Sequence, residues 1–275
     1  DVLLMAERGL LAMQGSVYDP ESLTFCESSK RDFAMIRARL TNAKDVCMLF
    51  EDLVGTDQLN VNEIIIRRKL FPYDVINLDF EEPPFILRRR ARSRPLEAIN
   101  KVFQLQRRHG RSFSLFVTFP AEDAQVDDNG RVMLSEIIGN NLTQGTEEFR
   151  AAYLERFGSE GIPTTTLEST LIVVPKVIVA AGADESFEVT CTHRLTYVGR
   201  PTTNTRMVAF VFDCEYQGTS AAQPGLLGLL DGHYAAEVVR LVRDATVDVN
   251  IALEGLDGSL EGVSLREDQE EIGTS

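Results

Sequence analysis

A chain of 275 residues with 44% hydrophobic residues is long enough and apolar enough to bury a sizeable core, which excludes wholesale disorder. Its net charge of −14 argues against a general nucleic-acid coat, no apolar run reaches the length of a membrane span, and no signal peptide is visible, so a cytoplasmic protein without a membrane partner is expected. Four cysteines share no CxxC spacing and three histidines lie far apart, so no metal site or nucleophilic triad is signalled; the cysteines read as buried reduced thiols.

In chain order, residues 2–14 have the apolar spacing of a helix against a sheet, ending near Gly15. Tyr18-Asp19-Pro20 is a turn. Leu23-Thr24-Phe25-Cys26 is a short buried strand stopping at Glu27, and Ser28 or Ser29 caps a helix over 30–40. Residues 46–50 form a second strand ending in Glu51-Asp52, and 62–70 are helical. Residues 73–80 form a third strand, followed by a Glu-Glu-Pro-Pro loop. A helix over 95–108 has Pro95 in its first turn, and 113–119 is a fourth strand. Residues 134–157 are helical with breaks near Gly139 and Gly145; 171–181 are apolar and ambiguous, Pro175 arguing against a central strand. Residues 187–197 and 206–216 form an antiparallel hairpin, and 233–244 an amphipathic helix.

The first four strands are continuous apolar runs separated by helices, which predicts an α/β fold: a mostly parallel sheet with helices on both faces and a C-terminal antiparallel β-hairpin. One domain over 1–250 is expected, then an acidic, mobile tail over 251–275. Ligands on such sheets bind beyond the carboxyl ends of the strands. Those ends carry Glu27, then Glu51 and Asp52, then Asn77, Asp79 and Phe80.

This order of elements and acid-ended strands resembles the class I S-adenosylmethionine-dependent methyltransferase family, over about residues 1–216. The resemblance implies a Rossmann-like fold with S-adenosylmethionine as cofactor and a nucleic-acid base or nucleotide as methyl acceptor. By position, Glu27 would hold the ribose hydroxyls, and Glu51 and Asp52 would border the adenine. The plainer readings are a helix N-terminal acid for Glu27 and a solvated loop acid for Asp52. Asn77 and Asp79 would orient the acceptor and Phe80 would stack on it, by likeness to the Asp/Asn-Pro-Pro-Tyr/Phe motif of amino-methylating members. Here Asn77-Leu78-Asp79-Phe80 precedes Pro83-Pro84-Phe85, so the prolines do not follow directly. The plainer reading makes Asp79 the cap of the next loop. The family's glycine-rich first loop is not in these residues, and it is expected to precede residue 1 together with its strand.

Five arginines, Arg88, Arg89, Arg90, Arg92 and Arg94, follow the third strand. They are expected either to hold nucleic-acid phosphates beside the site or to form a solvated run pairing with the chain's own acids. Two rival functions remain open: a Rossmann-like interaction subunit of a larger assembly with a decayed site, and another Rossmann-like enzyme with a different nucleotide cofactor.

Overall fold

Short polar residues and special backbone positions set many of the element ends. A computed structural model describes residues 13–14, 17–18, 23–40, 43–55, 69–85, 95–123, 126, 128–158, 165–198, 205–218 and 247–248. In chain order these hold β1 (Met13–Gln14), β2 (Val17–Tyr18), β3 (Thr24–Cys26), α1 (Lys30–Arg39), β4 (Lys44–Val46), α2 (Phe50–Gly55), β5 (Val75–Asp79) and α3 (Pro95–Arg107). There follow β6 (Phe113–Pro120), α4 (Asp128–Gln144), α5 (Glu147–Phe157), α6 (Thr166–Asp184), β7 (Phe187–Val198), β8 (Arg206–Tyr216) and β9 (Val247–Asp248). Ser29 caps α1 by accepting the Asp32 N–H at 3.3 Å. Thr146 and Thr165 do the same for α5 and α6, through Phe149 N–H at 3.2 Å and Glu168 N–H at 3.3 Å. Helix α5 stops at Gly158, whose φ of +70° is the left-handed cap that glycine adopts freely.

The fold is mixed α/β. The main sheet has the order β5-β6-β8-β7-β9. Strands β5 and β6 are parallel, with Asp79 opposite Thr118. Strand β8 runs antiparallel to β6, from Phe113 opposite Cys214 to Pro120 opposite Met207. It also runs antiparallel to β7, with a bulge between Cys191 and His193. Strand β9 is parallel to β7. A separate pair joins β3 and β4 in parallel, and β1 pairs with β2 antiparallel. The expected hairpin over 187–216 is present. The main sheet, however, is mixed rather than mostly parallel, because the hairpin inserts β8 between two strands that run the same way.

One face of this sheet is covered. Ile76 and Leu78 of β5, Leu115 and Val117 of β6, Phe210 and Phe212 of β8, and Val189 and Cys191 of β7 are all buried there. Helices α3 and α6 lie over them. Phe103 of α3 meets Phe113 and Phe187 with ring centroids 5.5 Å apart in each case. Gly182 of α6 sits against Val189 and Phe103 so closely that an added Cβ would lie 2.2 Å from Val189 Cγ2. The other face is the more open one among the described residues: Val75 is 48% and Phe116 39% exposed, Asn77, Asp79 and Asp213 are exposed beside them, and Thr118, Leu195, Tyr197, Ala209 and Val211 are half-buried. Burial therefore alternates along β5 and β6. The apolar runs hide this alternation in sequence because Val75 and Phe116 are themselves apolar.

Several local expectations are corrected. Residues 13–14 are a strand rather than the end of a helix. The apolar run 46–50 is split: β4 ends at Val46 and Phe50 opens α2, since a short apolar run serves a strand or a helix equally well. Residues 171–181 lie inside α6, with Pro175 within the helix. Gly139 does not break α4; the break falls at Gly145, where a Cβ would meet the Asn141 carbonyl oxygen. Helix α6 is long and apolar enough to cross a membrane, but 72% of its apolar window is buried inside the protein, as in a core helix. The expected helices at 62–70 (save its last two residues) and 233–244, most of the first helix, and the 251–275 tail lie outside the described residues.

Candidate functional site

The acids expected to hold a cofactor sit at the end of the β3–β4 pair. Glu27 follows the last residue of β3, and its N–H donates to the Val46 carbonyl at 3.1 Å, continuing the ladder by one bond. Its carboxylate turns toward α1 and accepts the Ser29 N–H at 2.7 Å. That is the helix N-terminal acid anticipated as the plainer reading. One carboxylate oxygen carries this bond, and a carboxylate has capacity for several more. Glu51 and Asp52 are not at a strand end; both lie in the first turn of α2, where carboxylates favour the helix dipole. Asp52 is exposed and Glu51 half-buried. Glu51 stands near Cys26: burial first, and then the Glu51 charge, push that thiol up to about 12. Glu27 and Glu51 therefore occupy the same end of the short parallel pair.

The residues expected at the acceptor site separate. Asn77 and Asp79, two apart on β5, both project onto the open face of the main sheet. Phe80 points the other way. It is 3% exposed and stacks on Phe119, with ring centroids 5.1 Å apart and an interplanar angle of 9°. Its ring is a core ring, so it does not supply a surface for stacking a substrate. Asp79 is exposed at its outer edge, yet its neighbours displace enough water to hold its carboxyl above the usual range. Arg88, Arg89, Arg90, Arg92 and Arg94 lie outside the described residues.

Sequence reading passed over two residues beside Asp79. Tyr197 of β7 is hydrogen-bonded with Thr118 of β6, and its hydroxyl is made a weaker acid by burial and then by the Asp79 carboxylate. Tyr197 lies in a strand segment that sequence reading located, but only the strand order reveals its neighbours. A further buried polar pair joins α4 to α6, where the Lys176 ammonium donates to Asn141 Oδ1.

No disulfide joins the cysteines: Cys191 and Cys214 are buried, Cys26 is half-buried, and Cys47 is exposed in the turn after β4, contrary to the expectation that all four are buried. His109 and His193 are exposed, and His233 lies outside the described residues. Among the described residues no group of three or more His, Cys, Asp or Glu is placed to hold a metal ion.

Compared with known proteins, the chain matches one family model, described as PP_RS20740-like, over residues 46–263. No curated protein and no solved structure matches it.

Proposed function

The chain belongs to the PP_RS20740-like family. From its sheet order and strand-end residues we propose that it is an S-adenosylmethionine-dependent methyltransferase acting on a nucleic-acid base or nucleotide. The observation that carries this reading is the order of β5, β6, β8 and β7: two parallel strands closed by a hairpin whose second strand is inserted antiparallel. That supports a Rossmann-like sheet of the kind the methyltransferase resemblance implies. The separate parallel pair β3–β4, ending in Glu27, supports it in the same way. In such sheets the ligand lies beyond the carboxyl ends of the parallel strands, and both parallel pairs here end in a carboxylate.

The donor chemistry of the β3–β4 end fits the cofactor. Glu27 and Glu51 are acceptor-only carboxylates, a group suited to the vicinal hydroxyls of a ribose. When bound, the cofactor supplies an electrophilic methyl group. The rest is the chain's own work. Glu27 would hold the ribose hydroxyls, and Glu51 with Asp52 would border the adenine. Asp79, whose carboxyl is held above its usual range, accepts a hydrogen bond from the acceptor's N–H or O–H. Asn77, exposed two residues earlier, orients the same group. The contribution is mainly positioning.

A second reading is a Rossmann-like interaction subunit with a decayed site. It draws on the burial of Phe80 against Phe119 and on the engagement of the Glu27 carboxylate by Ser29. Calorimetric titration with S-adenosylhomocysteine separates the two. Saturable binding that Glu27→Ala abolishes and Glu27→Gln weakens, with both variants still cooperatively folded at the titration temperature, supports the methyltransferase. A stably folded protein that takes up no ligand supports the subunit.

A further inference from the structure

Three strands that run the same way each deliver a polar side chain to the open face near their carboxyl ends. Strand β8 is antiparallel to both β6 and β7, so β5, β6 and β7 are mutually parallel. Asp79 ends β5, Thr118 stands directly opposite it on β6, and Tyr197 is the penultimate residue of β7. Between them lies β8, which at this level carries Ala209, opposite both Thr118 and Leu195. A methyl there leaves room for the Tyr197 side chain to cross the strand and hydrogen-bond with Thr118, beside Asp79. One pleat repeat earlier on β6 is Phe116, 39% exposed and in register with Asn77 and Val211. The loop after β5 is held by the buried Pro83, Pro84 and Phe85. In it, Glu82 Oε2 is buried without a hydrogen-bond partner.

Asp79 accepts only, while Asn77, Thr118 and Tyr197 can each accept or donate. Beside these acceptors is an exposed aromatic ring. A ligand complementary to both has N–H donors on the edge of a flat ring, and that describes a nucleobase. We propose that Asp79, Thr118 and Tyr197 form a nucleobase-binding subsite, with Phe116 as the surface on which the ring lies. The choice of ligand rests on the proposed function; the location of the subsite rests on the sheet. The base can belong to a free nucleotide or to a single strand.

The test uses the full chain, and its probes are the four common nucleoside 5′-monophosphates and a short single-stranded oligonucleotide of mixed sequence. Binding is read by calorimetry for the wild type, Asp79→Asn, Tyr197→Phe and a same-face control, Asp213→Asn, with thermal midpoints recorded for each. The expected result is saturable binding that Asp79→Asn weakens about tenfold or more, as for loss of a charge-assisted hydrogen bond. Tyr197→Phe should weaken it less, and the control should leave it unchanged. Binding of the oligonucleotide alone assigns the base to a strand; binding of a monophosphate assigns it to a free nucleotide. Absence of binding to every probe overturns the subsite, as does binding that Asp79→Asn and Tyr197→Phe leave intact. Titration with S-adenosylhomocysteine is scored separately. Uptake of that ligand without any nucleotide removes the subsite and leaves the methyltransferase reading standing. Nucleotide binding sensitive to Asp79→Asn without such uptake does the reverse.

Discussion

Lys176 is 5% exposed within α6, and its ammonium is met by the Asn141 side-chain oxygen on α4. Loss of hydration pulls its pKa from 10.5 down to about 8. Below about pH 8 the folded protein therefore carries the cost of a dehydrated charge. Between about pH 8 and 10.5 the unfolded chain binds the extra proton, so this residue's contribution to stability rises with pH across that window. The Asn141 Nδ2 group is itself buried without a partner. Replacing the pair together, Lys176→Met with Asn141→Leu, should stabilise the fold by ~1–2 kcal/mol at neutral pH and abolish that rise. Urea denaturation at pH 7 and at pH 9.5 measures both effects. Gly182 is a second residue with a definite consequence. An added methyl would press on Val189 Cγ2 at 2.2 Å and Phe103 Cε1 at 3.2 Å. Gly182→Ala should cost ~1–3 kcal/mol through overpacking despite its better helix propensity. A lowered denaturation midpoint with unchanged far-ultraviolet dichroism is the expected signature.

Elements show what could be read from the chain and what could not. The Ser29 cap, helix α3 and both arms of the hairpin were legible because each carries a local signal: a short polar residue before a periodic run, a proline in a first turn, or an alternating segment flanked by turn residues. Ser29→Ala should remove the bond to the Asp32 N–H and cost ~1 kcal/mol, read as an earlier thermal midpoint. Residues 46–50 and 171–181 were not legible, because apolar runs without alternation do not distinguish strand from buried helix. The site was half legible. Glu27 and Asp79 do stand at strand ends, a position legible because a carboxylate closing an apolar run is visible in sequence. Phe80 was misplaced because a one-residue step along a strand turns a side chain from one face to the other. Tyr197 and Thr118 were invisible as partners, since their meeting depends on β8 lying between two strands that run together.

At the scale of the whole molecule, alkaline pH brings opposing contributions. Burial holds Cys26, Tyr73 and Tyr153 up to about 12. Their unfolded counterparts release protons from about 9 for the thiol and 10 for the phenols. From those values up to about pH 12 the folded state keeps protons that the unfolded state loses, so stability falls as pH rises. Lys176 acts in the opposite sense and begins one pH unit lower. The stability profile should therefore climb above pH 8 and turn downward beyond about pH 9 to 10. Cys26→Ala should soften the descent, as measured by thermal midpoints across that range. A curve that descends monotonically from pH 8 would contradict this balance.

The hairpin's place in the sheet also governs how the protein is made. Strand β6 pairs on one side with β5, but its other partner is β8, and Phe113 waits for Cys214 to be synthesised. A growing polypeptide that has reached the end of β7 still exposes the N–H and C=O groups along one flank of β6. Until the last arm emerges from the ribosome, that flank is open to pairing with a neighbouring nascent chain. Closing so distant a ladder late, over so long an intervening loop, makes assembly of this sheet slow. During that interval the protein needs shelter from its own copies.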